Sequence, residues 1–331
     1  MPIRVAVVGA GSWGTTIGAL ASRNTPTVVW ARNPALADEI TQRHANSTYL
    51  PGFPLPATLT ATASLEEAVS DADVLVMGVP SHGMRTTLQA LVPYVRPWVP
   101  IVSLAKGLEE GTHLRMTQVI AEELPGHPVG ALTGPNLARE ILGGHAAATV
   151  VAFTDDHIAS ELQRIFAGEL FRVYTNHDVA GCEVAGALKN VIASASGMAD
   201  GLGTGDNTRA AVITRGLAEL SRLGVAMGGE VVTFAGLAGM GDLVATCISR
   251  QSRNRYVGEQ LGKGRPLAEV VGEMRMVAEG IKTSKVAVEL AERYDVYMPI
   301  TREVHAVVHE GRSAVEAYRG LLQRRAGSET R

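Results

Sequence analysis

Residues 5–14 read Val-Ala-Val-Val-Gly-Ala-Gly-Ser-Trp-Gly. The four apolar residues show no polar alternation, which predicts a strand buried on both faces. Three glycines follow in the spacing G-x-G-x-x-G. In such a turn Gly9 makes the sharp bend, Gly11 lets the backbone approach a pyrophosphate, and Gly14 lets the next helix pack on the sheet. A helix beginning near Ser12 would point free N–H groups at phosphate, so the stretch predicts a dinucleotide site, with a plain glycine turn as the alternative.

The composition limits the class of protein. The chain has 331 residues, 46% hydrophobic and 19% charged, which is enough for about two domains with real cores. A formal net charge of −3 gives no overall attraction to nucleic acid or to anionic membranes. Cys182 and Cys247 lie far apart in sequence, which predicts free thiols in a reducing compartment.

The sequence lacks the patterns typical of membrane segments and of metal sites. There is no signal-peptide pattern and no apolar run long enough for a bilayer, so we expect a cytoplasmic protein without membrane insertion. The 9 histidines lack the spacing of metal ligands, so no metal is predicted.

The first half of the chain alternates short apolar runs with helical patterns, which is typical of a doubly wound α/β sheet. Residues 49–62 are interpreted as a loop, and Ser64 with Glu67 as a capping box. After about Asp178, helical periodicity replaces strand signals. We therefore expect a Rossmann-type domain over 1–178, an all-helical substrate and catalytic domain over 179–325, and a frayed tail over 326–331. The predicted strands are 5–8, 27–31, 73–79, 101–105, 129–132, 147–153 and 171–174, and the main predicted helices are 34–43, 113–124, 155–167, 179–199, 208–223, 254–261, 266–273, 284–294, 300–310 and 314–322.

The end of the second predicted strand bears on the choice of cofactor. A strict NAD site has Asp or Glu there to bind the ribose 2′-hydroxyl, whereas this chain reads Trp30-Ala31-Arg32-Asn33. Arg32 could stack on adenine and meet a 2′-phosphate. The interpretation is tolerance of NADP, and the alternative is a solvated surface arginine.

Lys189 is the only charged residue between positions 184 and 199. Its neighbours on a helix are small or apolar and cannot pair with it. Desolvation lowers the pKa of a lysine and makes it a general acid or base near neutral pH. The alternative is a lysine that extends to the surface from a core helix. Asn190 could orient a substrate hydroxyl, or be an ordinary helix amide.

A glycine-rich turn at 236–241 leads to Asp242. Its carboxylate could orient Lys189 or bind a hydroxyl group, and the competing interpretation is an N-cap for the helix that follows. Thr246, one helical turn later, could add a hydroxyl to the same face.

Three arginines lie close together at positions 250, 253 and 255, with hydroxyls and amides between them. Such a cluster at a helix start suits a phosphate monoester, and a solvated basic loop is the alternative. Lys106 and the turn Gly134-Pro135-Asn136 each follow a strand, where open α/β sheets bind ligands. Lys106 could polarise a carbonyl or contact phosphate, although both segments could be plain turns.

Seven motifs follow one another in order along nearly the whole chain. They are Gly9–Gly14, Lys106-Gly107, Gly134-Pro135-x-x-Ala138-x-Glu140, Glu183-Val184-x-Gly186-Ala187-Leu188-Lys189-Asn190, Gly239-x-Gly241-Asp242-Leu243, Ser252-Arg253-Asn254 and Val277-Ala278-Glu279-Gly280. Together they resemble the bacterial NAD(P)-dependent glycerol-3-phosphate dehydrogenases. The resemblance implies reversible reduction of dihydroxyacetone phosphate to sn-glycerol 3-phosphate for phospholipid synthesis, NAD or NADP as cofactor, a small-molecule phosphate substrate and a homodimer.

The resemblance also implies roles for individual residues, and makes Lys189 the proton donor and acceptor. Our hypothesis from these parts is that Asp242 holds Lys189 in place and that Lys106 stabilises charge on the carbonyl oxygen. Position 136 departs from the family, which usually has Ser or Thr where this chain has Asn136. The implied substrate residues are Lys106, Gly134, Asn136, Asp242, Ser252, Arg253 and Asn254, and the implied cofactor residues are Ser12, Trp13, Arg32, Lys106, Ala138, Arg253, Val277 and Glu279.

Two other functions fit parts of the pattern. Other two-domain dehydrogenases, of the β-hydroxyacid or 6-phosphogluconate type, also join a Rossmann domain to a helical domain and use a lysine; the Gly241-Asp242 and Ser252-Arg253-Asn254 motifs argue against them. A nucleotide sensor without catalysis would need neither the isolated Lys189 nor the arginine cluster.

Overall fold

The computed structural model of the chain describes residues 2–274 and 278–323. Its first half contains one eight-stranded sheet in the order β3-β2-β1-β4-β5-β6-β7-β8. Neighbouring strands are parallel except β6 and β7. The strands are β1 (Val5–Val8), β2 (Thr27–Trp30), β3 (Leu59–Thr62), β4 (Val74–Met77), β5 (Ile101–Ser103), β6 (Val129–Thr133), β7 (Ala147–Ala152) and β8 (Phe171–Asn176).

The strands β1 and β4 form the buried centre of the sheet, and every residue of both is buried. Uniform burial follows from their unbroken apolar sequences, because helices cover both faces of the sheet. Strand order reverses at β1 and β4, which places the ligand crevice at their carboxyl ends. The helices of this half are α1 (Ser12–Ala21), α2 (Pro34–Arg43), α3 (Leu65–Val69), α4 (Met84–Leu91), α5 (Met116–Glu123), α6 (Ala138–Leu142) and α7 (Asp156–Phe166).

The interpretation of 49–62 as a loop is wrong at its end, where Leu59–Thr62 forms the edge strand β3. This strand is difficult to recognise because Leu59 is its one fully buried apolar side chain. Pairing with β2 stabilises it, together with Thr41, whose hydroxyl bonds to both backbone groups of Ala61.

Two smaller expectations also need correction. Only half of the capping box at Ser64 forms, because the Glu67 carboxylate accepts a hydrogen bond from Thr62 instead. The helix predicted over 113–124 begins at Met116, since residues before it form a turn with a bridge between Leu108 and Arg115. The sequence pattern gave no prediction for α4 or α6.

The second half of the chain is helical, as expected. Its centre is the buried helix α8 (Val179–Gly201), and α12 (Arg253–Gly262) packs closely against it through glycines. A Cβ atom on Gly197 would lie 2.0 Å from the Arg255 carbonyl oxygen, and one on Gly258 would lie 2.0 Å from that of Ser194. The helices are α8 (Val179–Gly201), α9 (Asp206–Ala226), α10 (Val231–Ala235), α11 (Asp242–Ile248), α12 (Arg253–Gly262), α13 (Leu267–Gly272), α14 (Glu279–Arg293), α15 (Pro299–His309) and α16 (Ala314–Leu322).

The predicted fold class, a doubly wound sheet followed by a helical half, is confirmed. Within the described ranges, no helix has both the length and the apolar character that a bilayer crossing needs.

Candidate active site

Asp242 lies between two lysines that come from different halves of the chain. Its Oδ1 is 2.6 Å from Nζ of Lys189, and its Oδ2 is 2.6 Å from Nζ of Lys106. All three side chains are largely buried, and Asp242 is only 2% exposed. One carboxylate therefore holds two ammonium groups at the boundary between the sheet and the helical half.

Lys189 lies on α8, where its side chain is 6% exposed. Burial lowers the pKa of Lys189 to about 8, the Coulombic effect of Asp242 opposes that shift, and Lys106 adds to it. Nζ also donates to the Thr246 hydroxyl at 2.6 Å. An ammonium has three N–H donors, so one remains for a ligand. With this pKa, Lys189 can give up or take a proton near neutral pH.

Asp242 reaches the lysines because a π-helical turn, Leu237–Gly241, precedes α11. The N-cap interpretation does not hold, because Asp242 is the first residue of α11 and its carboxylate faces the lysines. Thr246 lies one turn later, and its hydroxyl is 3.3 Å from Oδ1 of Asp242. Both predicted polar groups of this helix therefore meet Lys189.

Lys106 follows β5 and connects the site to the turn after β6. Besides Asp242, its Nζ donates to the carbonyl oxygen of Gly134 at 2.9 Å. Gly134 has φ +142°, a conformation that L side chains rarely adopt. A Cβ atom on Gly241 would lie 3.7 Å from Pro135, so this turn also touches the segment that carries Asp242.

Asn136 lies in the same turn, and one N–H of its side-chain amide is already used. Nδ2 of Asn136 donates to the Thr149 hydroxyl at 2.8 Å, and that hydroxyl donates to the Thr133 carbonyl at 2.9 Å. Because the single hydroxyl proton of Thr149 is donated to the Thr133 carbonyl, the Thr149 oxygen must accept from Asn136. The Asn136 Oδ1 atom is buried and has no hydrogen-bond partner among the described residues.

The arginine cluster divides into two groups. Arg255 forms an ion pair with Asp200, with Nη2 2.7 Å from Oδ2, and so helps to hold α12 to α8. Arg250 and Arg253 are exposed, and Arg253 interacts electrostatically with Glu279. Ser252 caps α12 by accepting from the Arg255 amide at 3.2 Å. Of the three arginines, Arg250 and Arg253 are therefore the exposed ones, just before and at the start of α12.

The predicted substrate residues Asn190 and Asn254 lie beside the lysines, but their amides bond to protein atoms. Nδ2 of Asn254 donates to Oδ1 of Asn190 at 2.9 Å, and Nδ2 of Asn190 donates to the Lys106 carbonyl at 3.1 Å. Both residues are buried. Their assignment to the substrate stays a prediction, and no local pattern in the sequence indicated these bonds between distant segments.

The glycine turn after β1 fits a dinucleotide. A Cβ atom on Gly14 would lie 2.1 Å from the Gly9 oxygen, whereas one on Gly11 would meet nothing within 4 Å. No side chain caps α1, which begins at Ser12. The buried Nε1 of Trp13 has no partner within the described part of the chain. Open space before an uncapped helix N-terminus is what a pyrophosphate needs.

The other predicted cofactor residues border the same crevice or its edge. Glu279 accepts from the backbone N–H of Ser81 at 3.4 Å, and burial raises the pKa of Glu279. Ser81 was missed, although it follows β4 at the same edge of the sheet as the glycine turn. Arg32 is exposed just after β2, and Ala138 begins α6. Val277 lies outside the described residues.

Groups for metal or thiol chemistry are not assembled here. Among residues 2–274 and 278–323, no three His, Cys, Asp or Glu side chains are placed to hold a metal ion. Cys182 and Cys247 are free and buried, and burial raises the pKa of Cys247 to about 12.

Comparison with known proteins gives concordant matches. The profile of the NAD-dependent glycerol-3-phosphate dehydrogenase N-terminus matches residues 4–159, and that of the C-terminus matches 178–319. The chain is 54% identical to glycerol-3-phosphate dehydrogenase (NAD(P)+) 2 of Sphingopyxis alaskensis, covering 99% of each chain. It is 53% identical to glycerol-3-phosphate dehydrogenase (NAD(P)+) of Mycobacterium avium, covering 98% of this chain and 96% of the relative. The crystal structure of glycerol-3-phosphate dehydrogenase from Coxiella burnetii matches with a TM-score of 0.93 at 35% identity, over 98% of this chain and 99% of that one.

Proposed function

The chain belongs to the NAD-dependent glycerol-3-phosphate dehydrogenase family, and from that premise we propose how its own residues perform the family's reaction. The activity is the reversible NAD(P)H-dependent reduction of dihydroxyacetone phosphate to sn-glycerol 3-phosphate, which supplies glycerophospholipid synthesis. The observation that carries the proposed mechanism is the buried arrangement of Lys189, Asp242 and Lys106.

Lys189 is the general acid in the direction of reduction. Two of its N–H donors bond to Asp242 and Thr246, and the third is left for the carbonyl oxygen of the substrate. As that oxygen gains negative charge, Lys189 transfers its proton to it. In the oxidation of glycerol 3-phosphate the neutral amine takes the proton back from the hydroxyl.

Asp242 keeps this lysine in position and preserves its charge. Without the carboxylate, the ammonium of Lys189 would be buried beside Lys106 and would lose the counter-ion to which it is hydrogen-bonded. Lys106 also has a third N–H donor, beyond those given to Asp242 and Gly134. That donor stabilises negative charge as it develops on the carbonyl oxygen, and because it is held in place beforehand, little reorganisation is needed.

The phosphate of the substrate binds at the start of α12. Arg253 is exposed there, and a guanidinium can bind a phosphate through two parallel hydrogen bonds. Ser252 already accepts from a backbone amide, but its hydroxyl proton is still available to the phosphate. Asn254 lies beside them and orients this segment through its bonds to Asn190 and Gly280.

The cofactor is held by the turn at Gly9, Gly11 and Gly14 and by the first turn of α1. When bound, it supplies the hydride for reduction and takes it up in oxidation. Trp13, Ala138 and Glu279 line the continuation of this crevice. Arg32 favours acceptance of a 2′-phosphate, since no acidic residue stands at positions 30–33. Val277 is assigned to the cofactor site only because of the resemblance to the family.

The test is a pair of assays on the purified protein. Dihydroxyacetone phosphate is added with NADH or with NADPH, and the near-ultraviolet absorbance of the reduced nicotinamide is followed. We expect oxidation of the cofactor, and the ratio of the two rates reports on Arg32. Protein that is folded and binds NAD(P)H, but oxidises neither cofactor, would favour the other two-domain dehydrogenases or the nucleotide sensor.

We also propose the domain division 1–178 and 179–325, a homodimer and a cytoplasmic location. The two family models match residues 4–159 and 178–319, which supports the division into domains. Cys182 and Cys247 are free thiols, which suits a reducing compartment. Limited proteolysis checks the boundary, light scattering after size exclusion checks the dimer, and cell fractionation checks the compartment.

A further inference from the structure

We propose that Asn190 is a positioning residue that acts through Lys106 and does not touch the substrate. The inference rests on the proposed function, because it assigns Lys106 and Lys189 their roles. It starts from a chain of hydrogen bonds that crosses the boundary between the two halves of the protein. The chain passes from Gly280 through Asn254 and Asn190 to Lys106.

Backbone groups at both ends of this series of hydrogen bonds determine which atom donates and which accepts at every step. The Gly280 N–H can only donate, so Asn254 must present Oδ1 to it, 2.9 Å away. Asn254 then presents Nδ2 to Oδ1 of Asn190. Asn190 is left with Nδ2 to donate to the Lys106 carbonyl, which can only accept. No amide in the chain can be reversed without placing two acceptors or two donors together.

Burial makes this series of hydrogen bonds rigid. Asn190 and Asn254 are 5% and 9% exposed, so water cannot replace their bonds. A Cβ atom on Gly280 would lie 2.6 Å from the Asn190 carbonyl oxygen, so α14 packs directly on the backbone of α8 here. Both polar atoms of the Asn190 amide are engaged by the protein, since Oδ1 accepts from Asn254 and Nδ2 donates to the Lys106 carbonyl.

The segment that follows Lys106 is bound to the helical half at further points. Glu183 of α8 accepts from the Thr117 backbone at 2.9 Å and from Arg115 at 2.7 Å. Nε2 of His113 lies 2.7 Å from Oε2 of Glu289 on α14. Although Lys106 follows a strand of the sheet, its segment is thus held by the helices. Among these contacts to the segment, that of Asn190 is made with Lys106 itself, because Asn190 holds its backbone carbonyl.

The consequence concerns the geometry of the two lysines. Lys189 precedes Asn190 on α8, so the same turn of helix carries one lysine and holds the backbone of the other. Asp242 then meets both amines at 2.6 Å. If the Asn190 amide is removed, Lys106 loses its backbone anchor, while Lys189 keeps its bonds to Asp242 and Thr246.

The experiment compares Asn190→Ala with the wild type on three ketones. These are dihydroxyacetone phosphate, dihydroxyacetone, which lacks the phosphate, and acetol phosphate, in which a methyl group replaces the hydroxymethyl group. A positioning residue should lower kcat/KM by a similar factor on all three, about 10- to 100-fold. A factor near one on dihydroxyacetone would mean a phosphate contact, and a factor near one on acetol phosphate would mean a hydroxyl contact. Either result overturns the inference.

A double-mutant cycle tests whether the effect passes through Lys106. In a Lys106→Ala background, Asn190→Ala should change kcat/KM by less than about twofold, because the amine to be positioned is absent. A full effect in that background contradicts the proposal.

Two variants serve as controls. Ser194→Ala removes the hydroxyl that donates to the backbone carbonyl of Asn190 at 3.2 Å; it leaves the Asn190 side-chain amide and its bond to Lys106 in place, so kcat/KM should stay near the wild-type value for all three ketones. Arg253→Ala should lose activity on the two phosphorylated ketones and little on dihydroxyacetone. Thermal unfolding confirms that each variant is folded. If the wild type fails to reduce dihydroxyacetone phosphate, the proposed function fails, which is a different outcome from a substrate-dependent effect of Asn190→Ala.

Discussion

Lys189 and Asp242 lie on different helices, yet their Nζ and Oδ1 atoms are 2.6 Å apart in a nearly solvent-free site. An isolated lysine buried to this extent would lose its proton at neutral pH. The carboxylate retains enough of the charge for the pKa of Lys189 to stay at about 8. The pair therefore explains why Lys189 can donate a proton during reduction and, in its neutral form, accept one during oxidation.

Replacing Lys189 with alanine should remove most of the turnover and leave the cofactor site unchanged. General acid catalysis contributes about 100- to 10,000-fold, so we expect kcat to fall within that range. The dissociation constant for NADPH, measured by fluorescence titration, should stay within a few-fold of the wild type. Near-normal turnover would contradict the assignment of Lys189.

The pH profile should follow the protonation state of Lys189. Reduction needs the ammonium form, so kcat/KM for dihydroxyacetone phosphate should fall as the pH rises through about 8. Oxidation needs the neutral amine, so kcat/KM for glycerol 3-phosphate should rise over the same interval. Asp242→Asn removes the charge that raises the pKa of Lys189, and should move both transitions to lower pH. Transitions that stay in place in this variant would exclude Lys189 as their origin.

Two glycines of one turn should respond differently to alanine. A Cβ atom on Gly11 meets open space, so Gly11→Ala should leave the melting temperature almost unchanged. It should nevertheless raise KM for the cofactor about tenfold or more, because the methyl group occupies space needed by the pyrophosphate.

Gly14→Ala is the matched comparison. Its Cβ atom would lie 2.1 Å from the Gly9 oxygen, so we expect a loss of folding free energy of about 1–3 kcal/mol or more. Equal melting temperatures for the two variants would show that the close packing at Gly14 is not needed for stability.

Two neighbouring arginines should also separate binding from stability. Arg253→Ala should mainly raise KM for dihydroxyacetone phosphate, since Arg253 is exposed at the start of α12. Arg255→Ala should lower the melting temperature, because it leaves Asp200 without the partner that links α12 to α8. An unchanged KM in Arg253→Ala would favour a solvated basic loop.

The strongest local patterns were sufficient to predict much of the fold. An unbroken apolar run before three glycines predicts β1 and its turn, because both features depend on adjacent residues. The edge strand β3 was missed, since its pairing with β2 and with Thr41 joins residues distant in sequence. The same reasoning explains why Arg255 could not be distinguished from Arg253 in sequence: its partner, Asp200, ends a different helix.

By itself, the sequence determined the dinucleotide turn, the helical second half and the isolation of Lys189, because each depends on residue type and short spacing. Only the tertiary structure decided that Asp242 bonds to both lysines and does not cap a helix. It also decided that Asn190 bonds to the Lys106 carbonyl across the boundary between the halves. Such bonds join segments far apart in the chain, and their partners are chosen by packing and burial, which no local pattern records.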